Sequence, residues 1–305
     1  MKLLVALALV SFAVGALSQC TCETSKWAMC DGNPCQCNLL VGDNEKVLLD
    51  CKKLIPKCFL MKAQMRRARK GMDTRTIGGK PVETAFVDND GVYDPDCEAT
   101  GKFKAKQCNG TEECWCVNSA GVRRTDKGDK NLKCEEVVET HWMRLQMVHK
   151  ELTGEVKEAD LKSGLETAFL TRYQLPKEYV KEIQYDKDSR MVVVDVKKEI
   201  GDRKIDFAPF GWYIEKDIKE LPQFLKPGDF EASVGAQKMQ MEKILVYYVD
   251  EKAPTFTMKH LTGGVIAVIV VVILAVLAGL LVLFFLRRRE QARYSKAQPR
   301  EMDNM

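Results

Sequence analysis

The stretch QCNGTEECWCVNSAGVRR, Gln107 to Arg124, sets Cys108, Cys114 and Cys116 around Trp115 and adds a glycosylation sequon at Asn109-Gly110-Thr111. A segment this rich in cysteine has almost no apolar core, and its tryptophan packs only if the flanking cysteines hold the backbone over it. Whether those cysteines are cross-linked depends on the redox compartment, which the two ends of the chain indicate.

At the N-terminus Lys2 precedes the apolar run LLVALALVSFAVGAL, and Ala16-Leu17-Ser18 offers the small residues of a cleavage site. Residues 1–18 are therefore expected to be a signal peptide, in preference to a membrane anchor, because polar cysteine-rich chain follows at once. Near the other end, Gly263 to Leu286 carries no charge. As a helix rising about 1.5 Å per residue it is roughly 36 Å long, enough to cross a bilayer. Arg287, Arg288 and Arg289 follow it directly, which puts the C-terminus in the cytoplasm and the N-terminus outside, a single-pass type I arrangement at the plasma membrane. The tail 287–305 accounts for +3 of the net +4 and Lys2 for the rest, so the ectodomain is neutral overall. A basic cluster just inside a membrane meets anionic lipid, and no nucleic-acid partner is expected.

All 12 cysteines (Cys20, Cys22, Cys30, Cys35, Cys37, Cys51, Cys58, Cys97, Cys108, Cys114, Cys116 and Cys134) lie before Glu135. An even number in an oxidising compartment reads as a disulfide framework, and zinc is disfavoured because this region has no histidine. The six from Cys20 to Cys51 permit 15 pairings, and their connectivity stays open on spacing alone. The run DNDGVYDPD, Asp88 to Asp96, lacks the order and closing Glu of a calcium loop and reads as an Asp- and Gly-rich turn.

The segments YDPDCEATGKFKAKQC and CWCVNSAG, closed by Cys134 with Cys58 as first cysteine, resemble a thyroglobulin type-1 domain over 58–134. That resemblance implies Cys58–Cys97, Cys108–Cys114 and Cys116–Cys134. In order, the segments form a multidomain single-pass membrane protein. They are a small disulfide-rich N-terminal domain (19–57), the thyroglobulin type-1 domain, a cysteine-free α+β domain (135–250), a juxtamembrane linker (251–262), the transmembrane α-helix (263–286) and the cytoplasmic tail. This order, with FKAKQCNGT, CWCVNSAGVRRTD, TRYQLPKEYV, VYYVDEKAP and GVIAVIVVV, is similar to the epithelial cell adhesion molecule family across essentially the whole chain. The resemblance implies Cys20–Cys35, Cys22–Cys51 and Cys30–Cys37 at the N-terminus. It further implies self-association to a dimer or higher oligomer, a claudin-type lateral partner, and placement at lateral epithelial membranes and cell junctions. Cutting by a membrane serine protease in the first thyroglobulin loop is implied too, as is release of the tail by shedding and an intramembrane protease. Here that loop, MRRARKGMDTRTIGGKP, is long and basic, with Arg66, Arg67, Arg69, Lys70 and Arg75 as candidate sites.

In the cysteine-free half, Met143, Leu145 and Met147 alternate as in a half-buried strand. Leu161, Leu165, Ala168 and Phe169 follow helical spacing with Asp160 as cap, and Pro176 ends that helix. MVVVDV (Met191 to Val196) reads as a strand, Trp212 to Lys219 as a helix, and Phe230 to Val234 and Ile244 to Val249 as strands. The order suggests an α+β sheet of ferredoxin-like type with helices on one face. His141 and His149 are read as surface histidines without a third ligand. The sequence has no GxSxG, HExxH, P-loop or GxGxxG element, so no enzyme and no cofactor are expected.

The leading expectation is an adhesion and signalling protein of the cell surface. Ala275 and Gly279 form a small-xxx-small pair for helix association, and Tyr294 is a candidate phosphosite beside basic residues. Alternatives are inhibition of cysteine cathepsins by the thyroglobulin type-1 domain, a heterophilic receptor, and a thyroglobulin module that serves only as spacer.

Overall fold

The computed structural model describes residues 20–72, 93–110, 112–219, 223–226, 228, 230–256 and 263–302. The expected signal peptide and Arg75 lie outside these residues. Two units are present, one ending at Thr255 and one comprising the remainder.

The first unit begins with a small antiparallel sheet, β1 (Met29–Asp31), β2 (Gln36–Leu40) and β3 (Lys46–Leu49), in that order. Helix α1 (Lys57–Arg69) follows Pro56, whose fixed φ suits a helix entry. Cys58, Phe59, Leu60, Met61 and Ala63 are all buried in α1, while Arg66, Arg67 and Arg69 fill its last turn, where cations suit the helix dipole. The hairpin β4 (Lys106–Cys108) and β5 (Cys114–Cys116) is clamped by the Cys108–Cys114 disulfide. Trp115 is buried there, edge-on to Tyr93 at 5.4 Å. Gly121 has φ +77°, and a Cβ on it would run into the ring of buried Phe103.

The cysteine-free half builds a five-stranded antiparallel sheet from β6 (Thr140–His149), β7 (Val180–Asp186), β8 (Met191–Lys197), β9 (Glu231–Val234) and β10 (Gln237–Asp250), in the order β7-β8-β6-β10-β9. Helix α2 (Glu158–Tyr173) follows β6 and α3 (Phe207–Ile218) follows β8. Without β9 the order is that of a split βαβ pair, the ferredoxin-like arrangement expected, with β9 added at the edge. Phe169, Tyr173, Phe210 and Phe230 lock the helices together at ring separations of 5.3 to 5.8 Å. Helix α2 closes on β9 at Gly164, where a Cβ would collide with the Ser233 carbonyl.

Several local expectations are corrected. Asp160 is not the cap of α2: Lys157 is, without a side-chain bond, and Asp160 sits in the first turn, where its charge suits the dipole. Helix α3 begins at Phe207, five residues before Trp212, because Asp206 accepts from Ala208 N at 2.9 Å and caps it there. Burial raises the Asp206 carboxyl above its usual range, and the bond from Ala208 N opposes that. Strand β7 is not signalled by its sequence, VKEIQYD being mostly polar because β7 is an edge strand. Strand β10 starts at Gln237, well before Ile244, with Met239 and Met241 buried.

The N-terminal segment is tied to the cysteine-free half. Tyr213 Oη in α3 donates to Thr24 O at 2.7 Å and accepts from Ile55 N at 3.4 Å. Lys26 N donates to Gln223 O and Leu225 N to Glu23 O. The second unit holds one long helix, α4 (Gly263–Met302), which runs past Leu286 and through the arginines. Ala267–Arg289 is long and apolar enough to cross a membrane.

Candidate functional site

Helices cover one face of the five-stranded sheet, and Met143, Leu145, Met147, Val192, Val194 and Val196 are buried beneath them. Because successive side chains alternate, the intervening residues build the opposite face. Register aligns them in rows across β10, β6 and β8: Val249, Trp142 and Lys197; Tyr247, Arg144 and Asp195; Leu245, Gln146 and Val193. Tyr247 is 42% exposed. Arg144 grips Asp195 through both carboxylate oxygens, at 2.7 and 3.0 Å, and Lys197 Nζ adds a third contact at 3.1 Å. The guanidinium of Arg144 and the ammonium of Lys197 lie 5.0 and 4.2 Å from the Trp142 ring centre. Burial pushes the Asp195 carboxyl up, but the bonds from Arg144 and Lys197 outweigh it and hold the group at about 2. The outcome is a face of apolar and aromatic groups in which Arg144 and Lys197 are fixed over the buried Asp195 carboxylate.

A second cluster holds the end of β10. Asp250 accepts from Arg124 Nε at 2.7 Å, Asn118 Nδ2 at 2.8 Å and Thr140 Oγ1 at 3.2 Å. Arg124 and Asp250 side chains are only 10% and 8% exposed. Arg124 also donates to the carbonyls of Lys252 and Ala253, and Thr255 N donates to Arg124 O at 2.9 Å. Glu251 receives both guanidinium nitrogens of Arg203, at 2.7 and 2.9 Å, and Arg203's bond holds its carboxyl down at about 2. The stretch from residue 251, the start of the expected juxtamembrane linker, is bonded to the thyroglobulin type-1 segment as far as Thr255.

The basic segment also differs from expectation. Arg66, Arg67 and Arg69 are not on a loop but in α1, and Lys70 caps it. The cause is that the buried run of α1 carries helical geometry on into the cations, which satisfy its carbonyl end. Arg66 Nε donates to Gly42 O at 2.9 Å, Arg69 pairs with Asp94 at 2.7 Å and Lys70 with Asp43 at 2.9 Å. Arg67 lies 5.1 Å from the Trp27 ring centre.

Cys58–Cys97, Cys108–Cys114, Cys116–Cys134 and Cys20–Cys35 are disulfides. The expected partners Cys30 and Cys37 face each other, Cys51 lies beside Cys37 as well, and Cys22 is buried beside Thr24 Oγ1 with its sulfur within 4.8 Å of those of Cys30 and Cys37. Register gathers them, since Cys37 on central β2 sits opposite Cys30 on β1 and opposite Leu49, two residues before Cys51. Its sulfur touches both Cys30 and Cys51, and one sulfur forms only one disulfide. Among the described residues, the groups close enough to share a metal are drawn from these same cysteines.

Asn109 lies exposed on the hairpin turn with Nδ2 donating to Glu113 Oε2 at 2.9 Å; Thr111 is outside the described residues. His149 is not a surface residue: it is buried on the helix-covered face, its ring nitrogens 2.6 Å from Lys150 O and 3.2 Å from Tyr185 Oη. Ala275 and Gly279 fall one turn apart on α4, with open space around Gly279, and Tyr294 lies further along the same helix. Sequence reasoning missed Asp250, Asp195 and the role of Arg124, whose long-range side-chain partners are 51 to 132 residues away. Arg124 stood inside the opening motif, but nothing local marks it as a clamp.

The family description "Thyroglobulin type-1 repeat" matches residues 66–134 and "EPCAM/Trop-2, C-terminal" matches 140–250. Among curated proteins, the chain is 43% identical to tumor-associated calcium signal transducer 2 of Rattus norvegicus, over 99% of this chain and 95% of that one. It is 41% identical to epithelial cell adhesion molecule of Homo sapiens, with the same shares covered, and 41% identical to that of Mus musculus, over 97% and 93%. These names are those of an adhesion molecule and a signal transducer, not of enzymes.

Proposed function

The chain belongs to the EPCAM/Trop-2 family, and from that premise we propose that it is an adhesion and signalling protein of the epithelial surface whose ectodomain pairs with a second copy of itself. The observation that carries this reading is the face of the five-stranded sheet turned away from α2 and α3, where half-buried Trp142, Val193 and Leu245 and exposed Tyr247 lie beside Arg144 and Lys197 and no helix covers them among the described residues. A face of apolar rows with cations fixed among them is suited to a two-fold contact with its own copy, since the symmetry lays the same rows against one another. Five strands at about 4.8 Å and about seven residues at about 3.3 Å give a footprint of roughly 550 Å² per copy, or about 1,100 Å² in total. That is at the low end for a specific interface, so pairing in solution is weak and concentration-dependent. Anchoring by α4 raises the effective concentration and strengthens it on a cell.

Type I orientation keeps this face outside and the tail inside, at lateral membranes and cell junctions. Helix contact at Ala275 and Gly279 brings copies or a claudin-type protein together within the bilayer. Cutting near Lys70 and Arg75 by a membrane serine protease, and shedding followed by intramembrane proteolysis, release the tail, with Tyr294 as its phosphosite.

Sedimentation velocity on glycosylated residues 19–259 tests the pairing. The expected result is a dimer that appears with rising concentration and is weakened by Tyr247→Lys. A strict monomer into the high micromolar range, or a dimer indifferent to Tyr247→Lys, refutes the reading of this face.

A further inference from the structure

A cut inside the loops closed by Cys58–Cys97, Cys108–Cys114 or Cys116–Cys134 leaves the pieces joined. Beyond Asp250 the chain has no such safeguard. All 12 cysteines precede Glu135, so one cut between Asp250 and α4 parts the ectodomain from its anchor.

The first residues of that stretch are not offered as free chain. Glu251 N donates to Glu139 O at 2.9 Å, and the guanidinium of Arg124 donates to the carbonyls of Lys252 and Ala253. Thr255 N donates to Arg124 O at 2.9 Å, which sets Thr255 in a parallel bridge with Thr125. Arg124 therefore holds the stretch at two points, with its side chain on Lys252 and Ala253 and its backbone on Thr255. It is itself fixed from both sides. Its Nε donates to Asp250 at 2.7 Å, and its N–H donates to Cys116 O at 2.8 Å inside the loop that Cys116–Cys134 closes. Proteases take substrate as extended chain with its backbone groups free, so bonded backbone is cut only when it opens locally.

We propose that Arg124 buckles residues 251–255 to the thyroglobulin type-1 segment and so withholds from proteases the bonds whose cutting frees the ectodomain. Release is then conditional on the Cys116–Cys134 loop keeping Arg124 in place. The proposal deepens the shedding step of the function proposed above and rests on it for its use on a cell. Arg124 is a positioning residue here: it holds the stretch to be cut and has no part in the cutting.

The full-length chain carrying K259Q, which leaves Lys252 as the single trypsin site between Asp250 and Arg287, is displayed on cells and treated with trypsin. Membrane-held fragments are read for a new N-terminus at Ala253. Because the protease is added, the result does not depend on whether the cells shed the chain by themselves. The K259Q chain is expected to resist at Lys252 while it is cut beyond Arg69. Adding R124M is expected to speed cutting at Lys252 at least about tenfold, because cleavage of a locally opened segment follows the population of the open form. R124K keeps the charge without the planar fork and falls between the two. G164A loosens the α2–β9 contact, away from Arg124, and is expected to keep the Lys252 rate within about twofold of the K259Q chain. Cutting at Lys252 in the K259Q chain as fast as beyond Arg69, an unchanged rate with R124M, or an equal gain with G164A overturns the proposal.

Discussion

Replacing Arg124 by Met keeps the length of the side chain and removes its charge, so the effect is electrostatic rather than one of volume. In the parent, Asp250 is 8% exposed and its carboxylate accepts from Arg124, Asn118 and Thr140. Arg124→Met leaves that buried carboxylate without its cation and also frees the carbonyls of Lys252 and Ala253. Stranding one member of a buried pair costs about 3 to 5 kcal/mol, a large share of a total of about 5 to 15 kcal/mol. Chemical denaturation of residues 19–259 measures it, and Asp250→Asn in the same background recovers much of the loss by removing the stranded charge. The pH dependence has a defined sign. Burial already raises the Asp250 carboxyl above its usual range. A raised carboxyl favours the fold below its unfolded pKa and loses that support as pH rises through the folded one. The deficit of the Met variant is therefore largest at neutral pH and shrinks on acidification. Amide exchange at Thr255, whose N–H bonds Arg124 O, accelerates in step if the fastening of 251–255 depends on the clamp. A deficit below about 1 kcal/mol, or one that grows in acid, refutes this account of the cluster.

Limited trypsin digestion is expected to cut first beyond Arg69, at Lys70 or Arg75, because a protease needs extended chain and α1 withholds Arg66, Arg67 and Arg69. Cys58–Cys97 keeps the two pieces joined until reduction, and early cleavage at Arg66 seen by mass spectrometry counts against the helix. Gly164→Ala is expected to destabilise the ectodomain by about 1 to 3 kcal/mol, since a Cβ meets the Ser233 backbone, which cannot swing aside; an unchanged denaturation midpoint contradicts the α2–β9 packing. Asp195 and Glu251 are both held at about 2. Their support is complete above the unfolded carboxylate range near pH 4 and lost as pH falls toward 2. Thermal scans are thus expected to show no change in their contribution between pH 7 and pH 5 and a falling midpoint below about pH 4, with that acid arm reduced in Asp195→Asn.

What the sequence disclosed and what it concealed divide by the range of the interaction. Cysteine spacing around Trp115, the alternation of Met143, Leu145 and Met147 and the apolar run before Arg287 are local patterns, and each marks an element that the structure contains. The basic segment misled because its composition matches an exposed loop, while the buried residues from Cys58 to Ala63 set up a helix that simply continues. The N-terminal cysteines were illegible for a related reason. Pairing depends on which strand lies in the middle, and the cross-strand position of Cys37 is a tertiary fact. The uncovered sheet face shows the same limit most clearly. Trp142, Arg144, Tyr247 and Asp195 come from three strands, and only register sets them in adjacent rows. A period of two shows that one side of β6 is apolar; it does not show that β10 and β8 complete a surface on the other. A contact face of the kind proposed therefore depends on how strands are ordered, which is why its residues have no motif of their own.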